Sequence, residues 1–205
     1  MTRSTTFHLV RHAAHDRVGS VLVGRLAGVH LSSQGRAQAR SLAGMFARSR
    51  IGAVISSPRE RAIETAEPIA GRLGLAMLTS SALDEADFGF WQGKSFSELS
   101  GDAGWKTWNA TRGAARPPGG ESMAELAMRF LGEMLALHAA MRGAEIVLVS
   151  HAEPIRATLL TLRGLSADDW SRIDIEPASI STVALDAAGA HVLRVNAGAV
   201  AGLAA

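Results

Sequence analysis

Two histidines follow short apolar stretches of the kind that form buried β-strands. Phe7–Val10 is followed directly by Arg11 and His12, and Ile146–Val149 is followed two positions later by His151. Ligands of open α/β sheets bind beyond the carboxyl ends of the strands. A single histidine after a strand is usually an ordinary loop residue, but two such histidines at strand ends indicate a shared site at one edge of the sheet.

A third apolar stretch, Ala53–Ser56, leads into a helix start that carries Arg59 and Arg61. Ser57 is typical of an N-cap and Pro58 of the first helical position. Arginine near a helix N-terminus is unfavourable unless a negative charge is close, and helix N-termini bind phosphate readily. Each arginine alone could equally point into water, so anion binding is a hypothesis that gains weight from the neighbouring histidines.

Arg11, Arg61 and the two histidines together form an anion clamp that contains a possible nucleophile. Arginine suits phosphate because its planar fork donates two hydrogen bonds at once. A neutral imidazole can attack phosphorus, and nearby cations keep it neutral by lowering its pKa. The leaving oxygen needs an acid, and the acidic stretch 83–87 offers candidates, although such a charge run alone is most simply a solvated surface.

Composition limits the possible functions. The chain has 205 residues, is 47% hydrophobic and carries a net charge of +2, which suits one globular domain that is not strongly basic. The absence of cysteine excludes disulfides, thiolate metal sites and cysteine nucleophiles. The N-terminus does not resemble a signal peptide, and no apolar run approaches the length of a membrane span. We therefore expect a cytoplasmic protein that binds neither nucleic acid nor membrane.

The elements that must position these residues alternate between strand and helix. Helical spacing or helix-start signals predict helices at 31–48, 58–73, 121–141 and 154–162, and a late hairpin at 180–195. Alternation of this kind predicts an α/β sheet covered on both faces. The segment 86–120, rich in Trp, Gly and Pro, is expected to be irregular structure over the site edge of a single domain spanning 1–205.

Six blocks of the sequence follow one another in a recognisable order. The blocks are LVRHAAHD at 9–16, LSSQGRAQARSLA at 31–43, SSPRERAIETAEPIA at 56–70, LDEADFGFWQGKSFSEL at 83–99, PPGGESMAELAMRF at 117–130 and VLVSHAEPIRATLL at 147–160. Together they resemble the histidine phosphatase superfamily, which is also called phosphoglycerate mutase-like. The resemblance covers roughly residues 7–196, and six blocks in the right order are highly specific.

The resemblance implies a role for each residue of the site. His12 would be the nucleophile that becomes phosphohistidine, and Glu85 would protonate the leaving alcohol and then activate water. Arg11, Arg61 and His151 would hold the phosphoryl oxygens. The family uses no metal for this chemistry, and we expect this chain to need no cofactor. Its fold is a three-layer α/β/α sandwich with a mostly parallel six-stranded sheet and one antiparallel strand.

This chain departs from the family pattern around the core. Alanine replaces the glycine after each catalytic histidine, at Ala13 and Ala152, and Val18 stands where many members have asparagine. His15 and Arg25 are possible residues of the altered substrate pocket. Alanine at positive φ would be strained by about 1–2 kcal/mol, so we expect negative φ at both alanines, with their methyl groups directed away from the phosphate.

The function that these observations favour is hydrolysis of a small phosphorylated metabolite through phosphohistidine. One alternative is a cofactor-dependent phosphoglycerate mutase, although such mutases are typically longer. Another is a non-catalytic phosphate-binding protein, for which the two alanines are the best argument. The expected partner is a small phosphate ester or free phosphate. The ester itself stays open among sugar phosphates, nucleotides, a cobalamin-pathway phosphate and protein phosphohistidine, and the sequence does not define an oligomeric state.

Overall fold

A six-stranded sheet forms the centre of the molecule in the computed structural model, which describes residues 4–198. Its spatial order is β3-β2-β4-β1-β5-β6. The strands are β1 (Thr5–Arg11), β2 (Ile51–Ser56), β3 (Met77–Thr79), β4 (Glu145–Ser150), β5 (Ile180–Asp186) and β6 (Gly189–Ala197). The helices are α1 (Ser33–Phe46), α2 (Glu60–Leu73), α3 (Phe96–Ser100), α4 (Ala103–Ala110), α5 (Met123–Ala140) and α6 (Ala152–Leu162).

The directions of the strands bring three strand ends to one place. β4 pairs in parallel with both β1 and β2, β2 pairs in parallel with β3, and β5 runs antiparallel to β1 and β6. The carboxyl ends of β1, β4 and β2 therefore lie side by side, and each continues directly into a residue of the predicted site. The mostly parallel six-stranded sheet that the sequence predicted is confirmed.

The side chains of the central strands alternate between two apolar cores, as the two-residue period of a strand requires. Val10, Val54 and Val149 pack on the face covered by α1 and α2. Leu9 and Leu148 pack on the opposite face, which is covered by α5 and α6. Because both faces are covered by helices, the three-layer α/β/α prediction is also confirmed.

The segment over the sheet edge is more regular than the sequence predicted. It contains α3 and α4, whose starts are capped by Ser95, in a capping box with Glu98, and by Asp102. These helices pack around a small third core that includes Trp91 and Trp108, both fully buried. The prediction of irregular structure over the whole of 86–120 is therefore wrong, because local capping and tryptophan packing stabilise two short helices there.

Two other sequence predictions differ from the structure. Helix α2 begins at Glu60 with Arg59 as its N-cap, and not at Pro58 after Ser57, since the Ser57 hydroxyl is bonded within the site described below. Strand β3 was not predicted, because it has three residues and is partly exposed. Within residues 4–198, no helix is long and apolar enough to cross a membrane.

Candidate active site

His12 follows β1 directly and has one ring nitrogen fixed by the backbone. Its Nδ1 lies 2.8 Å from the carbonyl oxygen of Ala13. A carbonyl can only accept a hydrogen bond, so Nδ1 must carry the proton. In the neutral ring, Nε2 then holds the free lone pair. Burial first, and the charges of Arg61 and Arg11 next, hold the pKa of His12 well below 6.5. His12 is therefore neutral and suited to nucleophilic attack near pH 7.

The loop after His12 is held by residues of two neighbouring helices. The Ala13 amide donates to the Thr65 hydroxyl on α2 at 3.0 Å, and the Ala14 amide donates to the Gln38 side chain on α1 at 2.9 Å. Neither residue was assigned a role from the sequence, although both lie inside the quoted blocks. Their bonds fix the backbone that, through the Ala13 carbonyl, sets the tautomer of His12.

The two alanines have the backbone conformation that the sequence analysis predicted. Among residues 4–198, the non-glycine residues with positive φ are Ala178 and Asn196, so neither Ala13 nor Ala152 is strained in this way. Ala13 is fully buried in the core between the sheet and helices α1 and α2. Ala152, the first residue of α6, touches the cavity beside His12.

Two arginines present unused donors beside His12. Arg61 is almost fully buried, and its Nη2 donates to the Gly24 carbonyl at 2.7 Å and to Nδ1 of His151 at 3.0 Å. Its Nε and Nη1 atoms, like Nε of Arg11, are buried and have no hydrogen-bond partner among the described residues. Buried donors without partners are costly. Because both arginines line the same cavity as His12, an oxyanion bound there is the candidate partner for these donors.

His151 lies behind His12 and Arg61 in a chain of hydrogen bonds. Its ring meets the His12 ring edge-on, with 5.1 Å between centroids. Since Nδ1 accepts from Arg61, Nε2 carries the proton and donates to the Ser57 hydroxyl at 2.8 Å. Ser57 in turn donates to Asp84 at 3.3 Å. Both nitrogens of His151 are thus occupied, and in this state the ring orients the Arg61 guanidinium.

Arg59, the second arginine at the start of α2, has different contacts from Arg61. Its Nε donates to both carboxylate oxygens of Asp84, at 2.9 and 3.0 Å, and its Nη1 donates to the Arg25 carbonyl at 2.8 Å. Arg59 therefore holds the loop that precedes Glu85 and does not line the cavity of Arg61.

Glu85 is a carboxyl group placed for proton transfer. It lines the cavity with His12, and its Oε1 accepts from the Ala86 amide at 2.8 Å, which fixes the orientation of the side chain. Burial first, and the charge of Glu153 next, raise the pKa of Glu85 to about 7. A carboxyl with this pKa is substantially protonated at neutral pH and can act in turn as acid and as base.

The backbone of Glu85 is clamped by Arg25 and by two residues that the sequence analysis left without a role, Arg129 and Glu121. Arg25 Nε and Arg129 Nη2 donate to the Glu85 carbonyl at 2.8 and 2.9 Å, and both arginines pair with Glu121 of the PPGGES block. Gly120 permits this approach, since a Cβ there would lie 2.1 Å from the Asp87 carbonyl. The prediction that Arg25 lines the substrate pocket is wrong, because Glu121 draws its guanidinium into this clamp.

Glu153 is a second carboxylate at the cavity. Arg156 holds one of its oxygens and Arg112, at 3.0 Å, holds the other. The Arg112 guanidinium is stacked between Trp108 and Trp170, 4.0 Å from each ring centroid. Burial acts to raise the pKa of Glu153, but the two arginines outweigh it and the pKa is lowered. Glu153 is therefore an ionised group fixed in place.

His15, a possible substrate-pocket residue in the sequence analysis, is among the residues that line the cavity. Its ring stacks on that of His12 with 5.3 Å between centroids, and its Nδ1 accepts from the Arg17 amide at 3.2 Å. Burial and then Arg61 and Arg11 lower the pKa of His15 to about 4. His15 is thus neutral near pH 7, and its remaining proton is on Nε2.

The cavity has a volume of about 180 Å³. Its lining residues are Arg11, His12, His15, Val18, Gly19, Val21, Leu22, Val23, Gly24, Arg61, Glu85, Phe88, Phe96, Ala152 and Glu153. Among residues 4–198, no group of three or more His, Cys, Asp or Glu side chains is arranged to hold a metal ion.

A neutral imidazole, two arginines with partnerless donors and a carboxyl of raised pKa form a site suited to phosphoryl transfer on an α/β/α sandwich. Comparison with known proteins gives the same class, since residues 7–198 match the histidine phosphatase superfamily (branch 1). The chain belongs to this superfamily. At the level of the superfamily, the family resemblance and the phosphatase function that the sequence predicted are both confirmed.

Several relatives are similar over most of their length. An uncharacterised protein of Mycobacterium tuberculosis (strain ATCC 25618 / H37Rv) is 36% identical over 91% of this chain and 93% of its own. Phosphoserine phosphatase 1 of Hydrogenobacter thermophilus is 28% identical over 92% of this chain and 90% of its own. The solved structure of a mycobacterial glucosyl-3-phosphoglycerate phosphatase has a TM-score of 0.85 at 26% identity, over 95% of this chain and 99% of that one.

Proposed function

We propose that this protein hydrolyses small phosphate monoesters through a phosphohistidine at His12, without a metal ion. The observation that carries the proposal is the set of three partnerless guanidinium nitrogens on Arg61 and Arg11, which share a cavity with the free Nε2 of a neutral histidine. The names of the relatives, phosphatases of phosphoserine and of glucosyl-3-phosphoglycerate, support a small phosphate ester as the substrate.

The reaction would proceed in two displacements. His12 Nε2 attacks phosphorus and the bond from phosphorus to the ester oxygen breaks, while Glu85 gives its proton to that oxygen. The alcohol leaves, and Glu85, now a carboxylate, takes a proton from the water that attacks the phosphohistidine. Inorganic phosphate is released, and His12 and protonated Glu85 are regenerated. Arg11 and Arg61 stabilise the equatorial oxygens in both steps. His151, whose two ring nitrogens are bonded to Arg61 and Ser57, keeps Arg61 in position.

Two features favour hydrolysis over the alternatives. The backbone of Ala13 and Ala152 is unstrained, so the two substitutions give no support to a non-catalytic binding protein. The cavity opens to solvent at the partly exposed Val18 and Phe96. Water can therefore reach the phosphohistidine, whereas a mutase must protect this intermediate until the phosphoryl group returns to its product.

A panel of phosphomonoesters tests the proposal, with p-nitrophenyl phosphate, O-phosphoserine, sugar phosphates and nucleotides as substrates and His12→Ala as the control variant. We expect release of inorganic phosphate by the wild type that is lost in the variant. Activity should survive excess chelator, because arginines neutralise the phosphate. Activity that vanishes with chelator and returns with a divalent ion would refute the metal-free mechanism, and full activity of His12→Ala would refute the nucleophile.

A further inference from the structure

The cavity has two chemically different halves. Arg11, Arg61, His12 and Glu85 form the half where the phosphoryl group would react. Most of the other lining side chains form an apolar wall, and the polar side chains beside it are the neutral His15 and the ionised Glu153. The members of the apolar wall are Val18, Val21, Leu22, Val23, Phe88 and Phe96.

The apolar wall is built by backbone pairing and is not a chance surface. Val21 forms an isolated antiparallel bridge with Ser95. The Leu22 amide donates to the Lys94 carbonyl at 2.9 Å, and the Phe96 amide donates to the Ser20 carbonyl at 3.1 Å. Leu22 and Phe88 also pack into the small third core that contains Trp91 and Trp108. These bonds join the loop after His12 to the start of α3, so the wall is fixed relative to the nucleophile.

Cationic groups are confined to the phosphoryl half. Arg11 and Arg61 are the cationic residues among those that line the cavity. Arg17 is exposed and lies outside the lining. Other arginines near the site are paired with protein carboxylates, namely Arg25 and Arg129 with Glu121, Arg59 with Asp84, and Arg112 and Arg156 with Glu153. A negative charge on the alcohol would therefore meet no cation in this wall. The neutral His15 offers it at most one N–H donor, and the ionised Glu153 would repel it.

Burial of a charge without a partner is expensive, whereas burial of an apolar group is favourable. We propose that this cavity accepts phosphate esters of uncharged, apolar alcohols, of the benzyl or alkyl kind, and selects against alcohols that carry a carboxylate, such as serine. The half-exposed side chains at its mouth, Val18 and Phe96, determine this preference. The inference rests on the proposed phosphatase function and names the substrate class of the same site.

Three synthetic esters separate charge from size and reactivity. Benzyl phosphate, 4-carbamoylbenzyl phosphate and 4-carboxybenzyl phosphate have similar leaving groups, and the last two differ in charge but hardly in shape. We expect kcat/KM to be at least about 10-fold lower for the carboxylate than for the carbamoyl ester, and O-phosphoserine to be turned over more slowly than benzyl phosphate. Equal kcat/KM for the carboxylate and carbamoyl esters would overturn the inference while leaving the phosphatase intact.

Variants locate the preference. The gap between the two esters is the ratio of kcat/KM for the carbamoyl ester to kcat/KM for the carboxylate ester. Val18→Arg would add a cation at the mouth of the cavity and should lower this ratio by about 5-fold, the scale of one partly exposed ion pair. Leu193→Arg, which adds the same charge at an exposed apolar position on β6, should leave the gap unchanged. An unchanged gap in Val18→Arg, or the same narrowing in Leu193→Arg, would contradict the assignment. No turnover of any of these esters or of p-nitrophenyl phosphate would refute the phosphatase function itself.

Discussion

Replacement of Glu85 by glutamine removes the acidic proton of the carboxyl group and keeps the shape of the side chain. With its pKa raised to about 7, half of the Glu85 carboxyls are protonated at pH 7, whereas a glutamate at the ordinary value of 4.5 would be about 0.3% protonated. The environment therefore increases the acid form roughly 150-fold at this pH. General acid catalysis contributes about 10²–10⁴ in rate, so Glu85→Gln should lower activity by this range wherever the leaving oxygen needs a proton.

The leaving group makes the test specific. We expect Glu85→Gln to lower kcat/KM for benzyl phosphate by about 10²-fold or more, but much less for p-nitrophenyl phosphate, because nitrophenolate leaves without a proton. The parameter kcat/KM is the right measure, since it does not include breakdown of the phosphohistidine. Asp87→Asn, in the same acidic stretch and with its side chain bonded to the Gly89 amide, is the matched control and should affect both esters little.

The pH dependence provides a second readout of the same group. Because the acid form of Glu85 is required, kcat/KM of the wild type for benzyl phosphate should fall as the pH rises through about 7. This fall should be absent in Glu85→Gln. Equal losses on both esters, or a variant that keeps the wild-type fall near pH 7, would refute the assignment of Glu85 as the acid.

Two further predictions concern Arg61 and the neutral state of His12. Arg61→Ala should lower kcat/KM on the order of 10²-fold. Arg59→Ala should lower it much less, because Arg59 binds Asp84 outside the cavity. Equal losses of kcat/KM in the two variants would contradict the different roles of these arginines. The pKa of His12 is held well below 6.5 in the folded state. Below pH 6.5 the unfolded chain therefore binds a proton at His12 that the folded protein does not bind. Each pH unit of acidification below 6.5 should lower the free energy of unfolding by up to about 1.4 kcal/mol. Urea unfolding of the wild type and of His12→Gln at pH 7 and pH 5 should show a smaller loss of unfolding free energy in the variant, and an equal loss would contradict a buried neutral His12.

The sequence predicted the parts of the molecule that depend on local pattern. Runs such as Ile146–Val149 predicted the central strands, and the residues after them, His12 and His151, lie side by side as expected. Helix α2 was placed two residues too early, because the Ser57 hydroxyl bonds to His151, which is 94 positions away. The capping signal at Ser95 for α3 was present in the sequence, but the surrounding Gly and Trp residues favoured the prediction of irregular structure.

Contacts between distant segments could not be predicted from the sequence. Arg25 was expected in the substrate pocket, but Glu121, 96 positions later, binds its guanidinium. The same clamp uses Arg129 from α5 to fix the Glu85 backbone. The stacking of Arg112 between two tryptophans, which holds Glu153 beside the cavity, likewise depends on the assembled fold. Pairings of this kind are defined by tertiary geometry, and a sequence pattern gives only the residue types.

The covalent intermediate on His12 is the most direct test of the account. Protein mixed with a reactive aryl phosphate, quenched within milliseconds and digested at alkaline pH should give one peptide, containing His12, that has gained one phosphoryl group. The group should be on Nε2, since Nδ1 is bonded to the Ala13 carbonyl, and it should be absent from His12→Ala. A phosphoryl group on a different residue, or turnover by the wild type with no phosphorylated peptide under conditions that trap phosphohistidine, would contradict the mechanism.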